Sequence, residues 1–122
     1  MKKNKNFIFA LKNALAGLIF GLRYERNVQY DFVIAFFVVL VSGYLKINKV
    51  EWFFVIFSIG LVLIVEYLNS AIERCVDLVL GSQYHKLAKQ AKDAGASAAL
   101  IAALASAIVG LMIFMPKLIK LL

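Results

Sequence analysis

The 122-residue chain is 63% hydrophobic and 17% charged, where soluble domains run at about 45–50% and about 25%. A single small domain with so little polar surface is poorly covered against water, because small domains have proportionally the most surface, and a membrane is expected instead. Fourteen Lys and Arg against seven Asp and Glu give a formal charge of +7, which in so apolar a chain fits anionic lipid and cytoplasmic flanks and argues against a nucleic-acid partner.

Lys2, Lys3 and Lys5 precede the apolar run Phe7 to Leu11. That run is shorter than the roughly 7–15 residues of a secretory signal core, so the segment is taken as mature protein. From 7 to 22 the chain stays apolar but carries Lys12 and Asn13. Lys5, Lys12 and Arg23 are spaced near whole helical turns and share one side, which predicts an amphipathic helix lying in the membrane interface.

Three runs are candidates for crossing a bilayer core of about 30 Å. The first, Phe32 to Leu45, is short; Tyr30 and a snorkelling Lys46 extend it to about 30–47. The second runs over 52–72 with Glu66 as its only charge, and the third, 94–116, closes at Pro116. The predicted fold is therefore one all-α integral membrane domain over 1–122, an interfacial helix plus three transmembrane helices. Cys75 is the only cysteine, which excludes an intrachain disulfide and a cysteine-based metal site.

Ten cations flank the N-terminal segment and the loop after the second span, against four at Lys46, Lys49, Lys117 and Lys120. The positive-inside rule puts the N-terminus and the region 73–93 in the cytoplasm of a cell-membrane protein, with Tyr44 and Trp52 in the outer aromatic belt. In the third span Gly95, Ala99, Ala103 and Ala107 form one row of small residues and Ala94, Ala98, Ala102 and Ser106 the next. Such rows let helix backbones approach closely in lipid, and an oligomer is the natural way for three spans to enclose polar groups.

The chemistry concentrates on the second helix. Glu66, Asn69, Glu73 and Asp77 are spaced 3, 4 and 4, which at 100° per residue confines them to an arc of about 80°. A carboxylate about four turns into an apolar span is costly and marks a functional site. Glu66 suits a general base acting on an alcohol. Glu73, about 10 Å further along the helix, suits a hard cation such as Mg²⁺, which takes one or two carboxylates plus substrate phosphates. Tyr84, His85, Lys86, Lys89 and Lys92 follow in the loop and add donors for phosphate charge. The common soluble nucleotide signatures GxxxxGK and GxGxxG are absent.

The sequence Glu66-Tyr-Leu-Asn69-Ser-Ala-Ile-Glu73-Arg-Cys-Val-Asp77, followed by Tyr84-His85 and Ala91-Lys92-Asp93-Ala-Gly, resembles the prokaryotic diacylglycerol kinase family of small membrane lipid kinases. The resemblance covers residues 7 to 116. It implies a homotrimer with sites shared between subunits, moving the γ-phosphate of Mg-ATP to a membrane lipid hydroxyl. It also implies roles by position: Glu66 as general base, Glu25 and Glu73 as metal-holding and nucleotide-site carboxylates, Gln83, Tyr84, His85, Lys92 and Asp93 as nucleotide contacts, and Asn69 and Asp77 as supporting groups. Without it, Glu25 in Arg23-Tyr-Glu25-Arg26 reads as a surface ion pair.

The stretches 26–29 and 47–52 resemble the Gram-positive-type branch, whose members phosphorylate undecaprenol. Asn13 and Ala96 stand where the diacylglycerol-specific branch has tyrosine and serine. Diacylglycerol is the alternative substrate. A small multidrug or proton-coupled transporter is the alternative of a different class, though it has no use for acids and lysines clustered on one side.

Overall fold

The computed structural model describes residues 6–122 as four helices: α1 (Phe7–Tyr24), α2 (Arg26–Tyr44), α3 (Lys49–Leu80) and α4 (Lys86–Leu121). All four are long and apolar enough to cross a membrane. Lys2, Lys3 and Lys5, which enter the cation count above, lie outside the described residues.

Local chemistry sets the helix ends. Asn6 caps α1 by accepting the Phe9 N–H at 2.8 Å. Asn48 and Glu51 form a reciprocal capping box at the start of α3, at 2.9 and 3.0 Å. Gly81, at φ 61°, ends α3 in a conformation that a β-carbon disfavours. At the start of α4 the His85 Nδ1 accepts the Leu87 N–H at 3.1 Å, so this imidazole has a capping task beside any other.

α3 and α4 pair most extensively, α2 packs on α3, and α1 on α2. The inward positions on α3 are Val55, Ile59, Val62, Glu66, Asn69, Glu73, Val76 and Leu80, alternating steps of four and three as in a left-handed helix seam. Glu66, Asn69 and Glu73 of the polar stripe thus continue the apolar seam, while Asp77 lies beside it. On α2 the matching line is Val28, Asp31, Ala35, Val38 and Ser42.

α4 faces α3 with Gly95 and Ala99 from one small-residue row and Ala102 and Ser106 from the other. A strict four-residue row drifts around a 3.6-residue helix, so a straight seam must change rows. Ser106 Oγ reaches the Ser58 carbonyl at 3.3 Å.

The helices overrun the predicted spans. At 32 residues α3 is about 48 Å long and α4, at 36, about 54 Å, so both are longer than a core of about 30 Å. At its C-terminal end α4 does not stop at Pro116 but runs through it. Proline takes one N–H from the ladder and sets its ring against the Met112 carbonyl, and the turn beyond is paired through Lys117 with Glu51 at 3.1 Å. Few side chains are buried within one chain: Val28, Ile47, Val55, Ala102 and Ile113 are the apolar ones. Phe36, Phe57, Ile101 and Leu104 face outward, as lipid or a neighbouring subunit requires.

Candidate active site

Glu66 sits half-buried where α2 crosses α3. Asp31 and Asn27 of α2 and Asn69, one turn along its own helix, are its polar neighbours. Two atoms at this junction, Asp31 Oδ2 and Asn69 Oδ1, are buried with no hydrogen-bond partner. Orphaned buried acceptors are rare in folded proteins and call for an explanation. Asn69 Oδ1 is pressed against α4 at Gly95, where a β-carbon would collide with it.

Asp31 and Asn27 were not assigned roles from the sequence, where Asp31 only marks a span boundary. Their spacing of four places them on one face of α2, the same signal that picks out Glu66 and Asn69 on α3.

Asp31 also heads an apolar groove of about 270 Å³ bounded by α2, α3 and α4. It runs along α2 from Asp31 to Val38 and along α4 from Phe114 to Ser106, or about 10–12 Å. A chain whose polar end lay against Asp31 and Glu66 would have its tail in this groove.

Glu25 occupies the break between α1 and α2, in extended conformation. Its carboxylate accepts from Ser70 Oγ at 3.1 Å and Arg74 Nε at 3.0 Å and is ion-paired with the Arg74 guanidinium. Arg74 in turn lies over the Phe20 ring, 4.5 Å from its centroid. The α1 segment is further held by Tyr67, whose hydroxyl donates to the Leu18 carbonyl at 2.6 Å. Glu25 therefore meets α3 at Ser70 and Arg74, one step around the helix from Glu73.

The remaining candidates surround a second cavity, of about 310 Å³, at the same end of the bundle. Asp77, Gln83, Tyr84, His85, Lys92 and Asp93 all line it. Lys92 Nζ bonds Asp77 at 2.7 Å and Lys89 Nζ bonds Asp93 at 2.6 Å. Lys92 stands in the second turn of α4, facing Asp77 of α3. Glu73 adds its charge to that of Asp77.

Among the described residues no cluster of three or more His, Cys, Asp or Glu forms a metal cage. A cation that arrives with phosphate oxygens of its own needs only one or two protein carboxylates, and Glu25 and Glu73 are the two that the resemblance implies for it. Glu25 would have to exchange Arg74 for that cation.

Residues 12–114 match the family model described as prokaryotic diacylglycerol kinase. The chain is 38% identical over 112 residues to an undecaprenol kinase of Bacillus subtilis, covering 92% of this chain and 90% of that protein. It is 34% identical to a diacylglycerol kinase of Synechocystis, over 96% of this chain and 67% of that protein. Against a diacylglycerol kinase of Escherichia coli it is 42% identical over 69% and 68% of the two chains.

Proposed function

Because the chain belongs to the prokaryotic diacylglycerol kinase family, we propose that it transfers the γ-phosphate of ATP, delivered with Mg²⁺, to the hydroxyl of undecaprenol, giving undecaprenyl phosphate and ADP. The carrying observation is the Glu66 carboxyl, set beside Asp31, which heads an apolar groove, and on the same helix face as Glu73.

In this reading Glu66 takes the proton from the lipid hydroxyl as its oxygen attacks the γ-phosphorus, and the bond to the β-phosphate oxygen breaks to release ADP. Asn69 and Asp31 fix the rotamer of Glu66. Lys92 stabilises charge on the phosphates, and Asp77 orients its ammonium. Gln83, Tyr84, His85 and Asp93 shape the nucleotide cavity. Glu25 and Glu73 would hold Mg²⁺, which would supply positive charge against the phosphates.

The groove favours undecaprenol over diacylglycerol. Its wall is apolar apart from Asp31 and two serines, and the Ser106 hydroxyl is already turned to the Ser58 carbonyl. That leaves little to meet the ester carbonyls of a diacylglycerol, whereas a polyisoprenol has none. The relatives named diacylglycerol kinase keep the second substrate as the alternative.

We also place α1 along the membrane interface, the Glu73–Asp93 end in the cytoplasm of the cell membrane, and three chains in a homotrimer that covers the outward apolar faces.

The deciding experiment offers undecaprenol and diacylglycerol in parallel, in mixed micelles with γ-labelled Mg-ATP and a Glu66→Gln control. Labelled undecaprenyl phosphate that vanishes in the control supports the reading, and labelled phosphatidic acid transfers it to the alternative. No labelled lipid from a folded oligomer overturns the kinase assignment.

A further inference from the structure

The end of the bundle away from Glu66 gathers cations for which phosphotransfer has no use. Lys46, Lys117 and Lys120 line one cavity of about 450 Å³ together with Tyr44, Leu45 and Leu121. Lys49, at the start of α3, stands 17 residues from Glu66, or about 26 Å along the helix. Most of a bilayer core therefore separates this cavity from the candidate active site.

The cavity is shaped by the turn from α2 to α3. Lys46 follows the C-cap of α2 with φ at 53°, the left-handed position where glycine is usual because a β-carbon is disfavoured. Two backbone bonds hold it there, Lys46 N–H to Gly43 O at 3.2 Å and Ile47 N–H to Ser42 O at 3.3 Å. A long cation thus stands at the rim where the backbone would prefer no side chain.

Across from it, Lys117 is tethered to Glu51 at 3.1 Å. Glu51 is the only carboxylate side chain between Asp31 and Glu66 in the sequence, and its oxygen also accepts the Asn48 N–H. Lys46 and Lys120 have no ion-pair partner among the described residues. The result is a cationic recess with an exposed tyrosine at its edge and leucines in its wall, at the depth of lipid headgroups.

We propose that this recess binds the phosphate of an anionic phospholipid headgroup, with Lys46 and Lys120 as its principal contacts, Lys117 as the tethered third, and the acyl chains laid along Leu45 and Leu121. Charge supplies the selectivity for anionic over zwitterionic lipid, and the leucines with Tyr44 supply the reason for a lipid rather than a free ion. The inference rests on membrane insertion alone and stands apart from the kinase chemistry.

Trp52, the only tryptophan, packs beside Ile47, the neighbour of Lys46, and gives a local readout. The full-length protein is placed in phosphatidylcholine bilayers doped with brominated phosphatidylglycerol or, at equal mole fraction, brominated phosphatidylcholine, and quenching of Trp52 is recorded. The anionic lipid should quench at a mole fraction at least about fivefold lower, the factor set by one well-placed lysine. In the Lys46→Gln/Lys120→Gln variant the two lipids should become equal. A Lys12→Gln/Lys86→Gln variant, which removes the same charge elsewhere, should keep the preference. Equal quenching in the parent protein overturns the proposal, as does a preference that survives Lys46→Gln/Lys120→Gln or falls equally in the control variant. Loss of the preference on adding inorganic phosphate at matched ionic strength would assign the recess to the free ion and overturn the lipid.

Discussion

Glu51 and Glu66 stand 15 residues apart on the same helix, and the fold treats them in opposite ways. Glu51 is satisfied twice over, by the Asn48 N–H at 3.0 Å and by Lys117 at 3.1 Å. Glu66 is set against another carboxyl, Asp31, in a junction where two buried acceptors have no partner. A carboxylate that closes its own hydrogen bonds is part of the scaffold, while one set beside a second carboxyl in an apolar span marks a candidate functional site.

That contrast is sharpest in its kinetic consequence. Glu66→Gln should lower turnover by about 10²–10⁴-fold, the usual worth of a general base, while leaving the oligomer and nucleotide binding intact; phosphate transfer and size-exclusion profiles on the same preparation check both. A Glu66→Gln protein that fails to assemble would make Glu66 a scaffold residue like Glu51.

Asp31→Asn comes next. It keeps the shape but changes what faces Glu66, and a misplacement of about 1 Å at a reacting group costs up to about 10²-fold. A loss of about tenfold to hundredfold in kcat, with KM for ATP little changed, would separate positioning from nucleotide binding.

Gly95→Ala tests the packing beneath the site. The new β-carbon collides with Asn69 Oδ1, and overpacking of this kind costs about 1–3 kcal/mol. Thermal unfolding in detergent should show it, together with a partial loss of activity, because Asn69 must move. The neighbouring Ala96, exposed on the other side of α4, should accept serine without a change in unfolding temperature.

The smallest effect is expected at the satisfied end. Glu51→Gln keeps the cap geometry and removes the charge facing Lys117, so unfolding temperature should fall slightly and turnover should not change. A kinetic defect there would erase the distinction between the two carboxylates.

Much of this arrangement is legible in the sequence because it depends on one helix at a time. The Glu66, Asn69, Glu73 and Asp77 stripe needs only the angle per residue, and the structure adds that its first three members continue the apolar seam. Where the partner comes from another helix, the sequence is silent. Asn27 and Asp31 meet Glu66 only through the crossing of α2 on α3, and Glu25 finds Ser70 and Arg74 across 45 and 49 residues. His85 reads as a donor near phosphate, yet its ring also caps α4, a task visible only once the helix start is known. Pro116 reads as a terminator because proline usually is one. In the structure α4 runs through it, and the turn that follows is paired with Glu51 of another helix.

The unbroken run of α3 from Lys49 to Leu80 makes that helix a ruler as well as a wall. On the proposed reading three groups of the reaction path, Glu66 for the proton, Glu73 for the cation and Asp77 for the nucleotide-facing lysine, are graduated on this one helix, and their height and bearing are set by residue count. Inserting a single residue between 66 and 73 would lift the lower groups by only about 1.5 Å but swing them through about 100°, out of phase with the base. The length of this stretch is constrained as tightly as the polar side chains it carries.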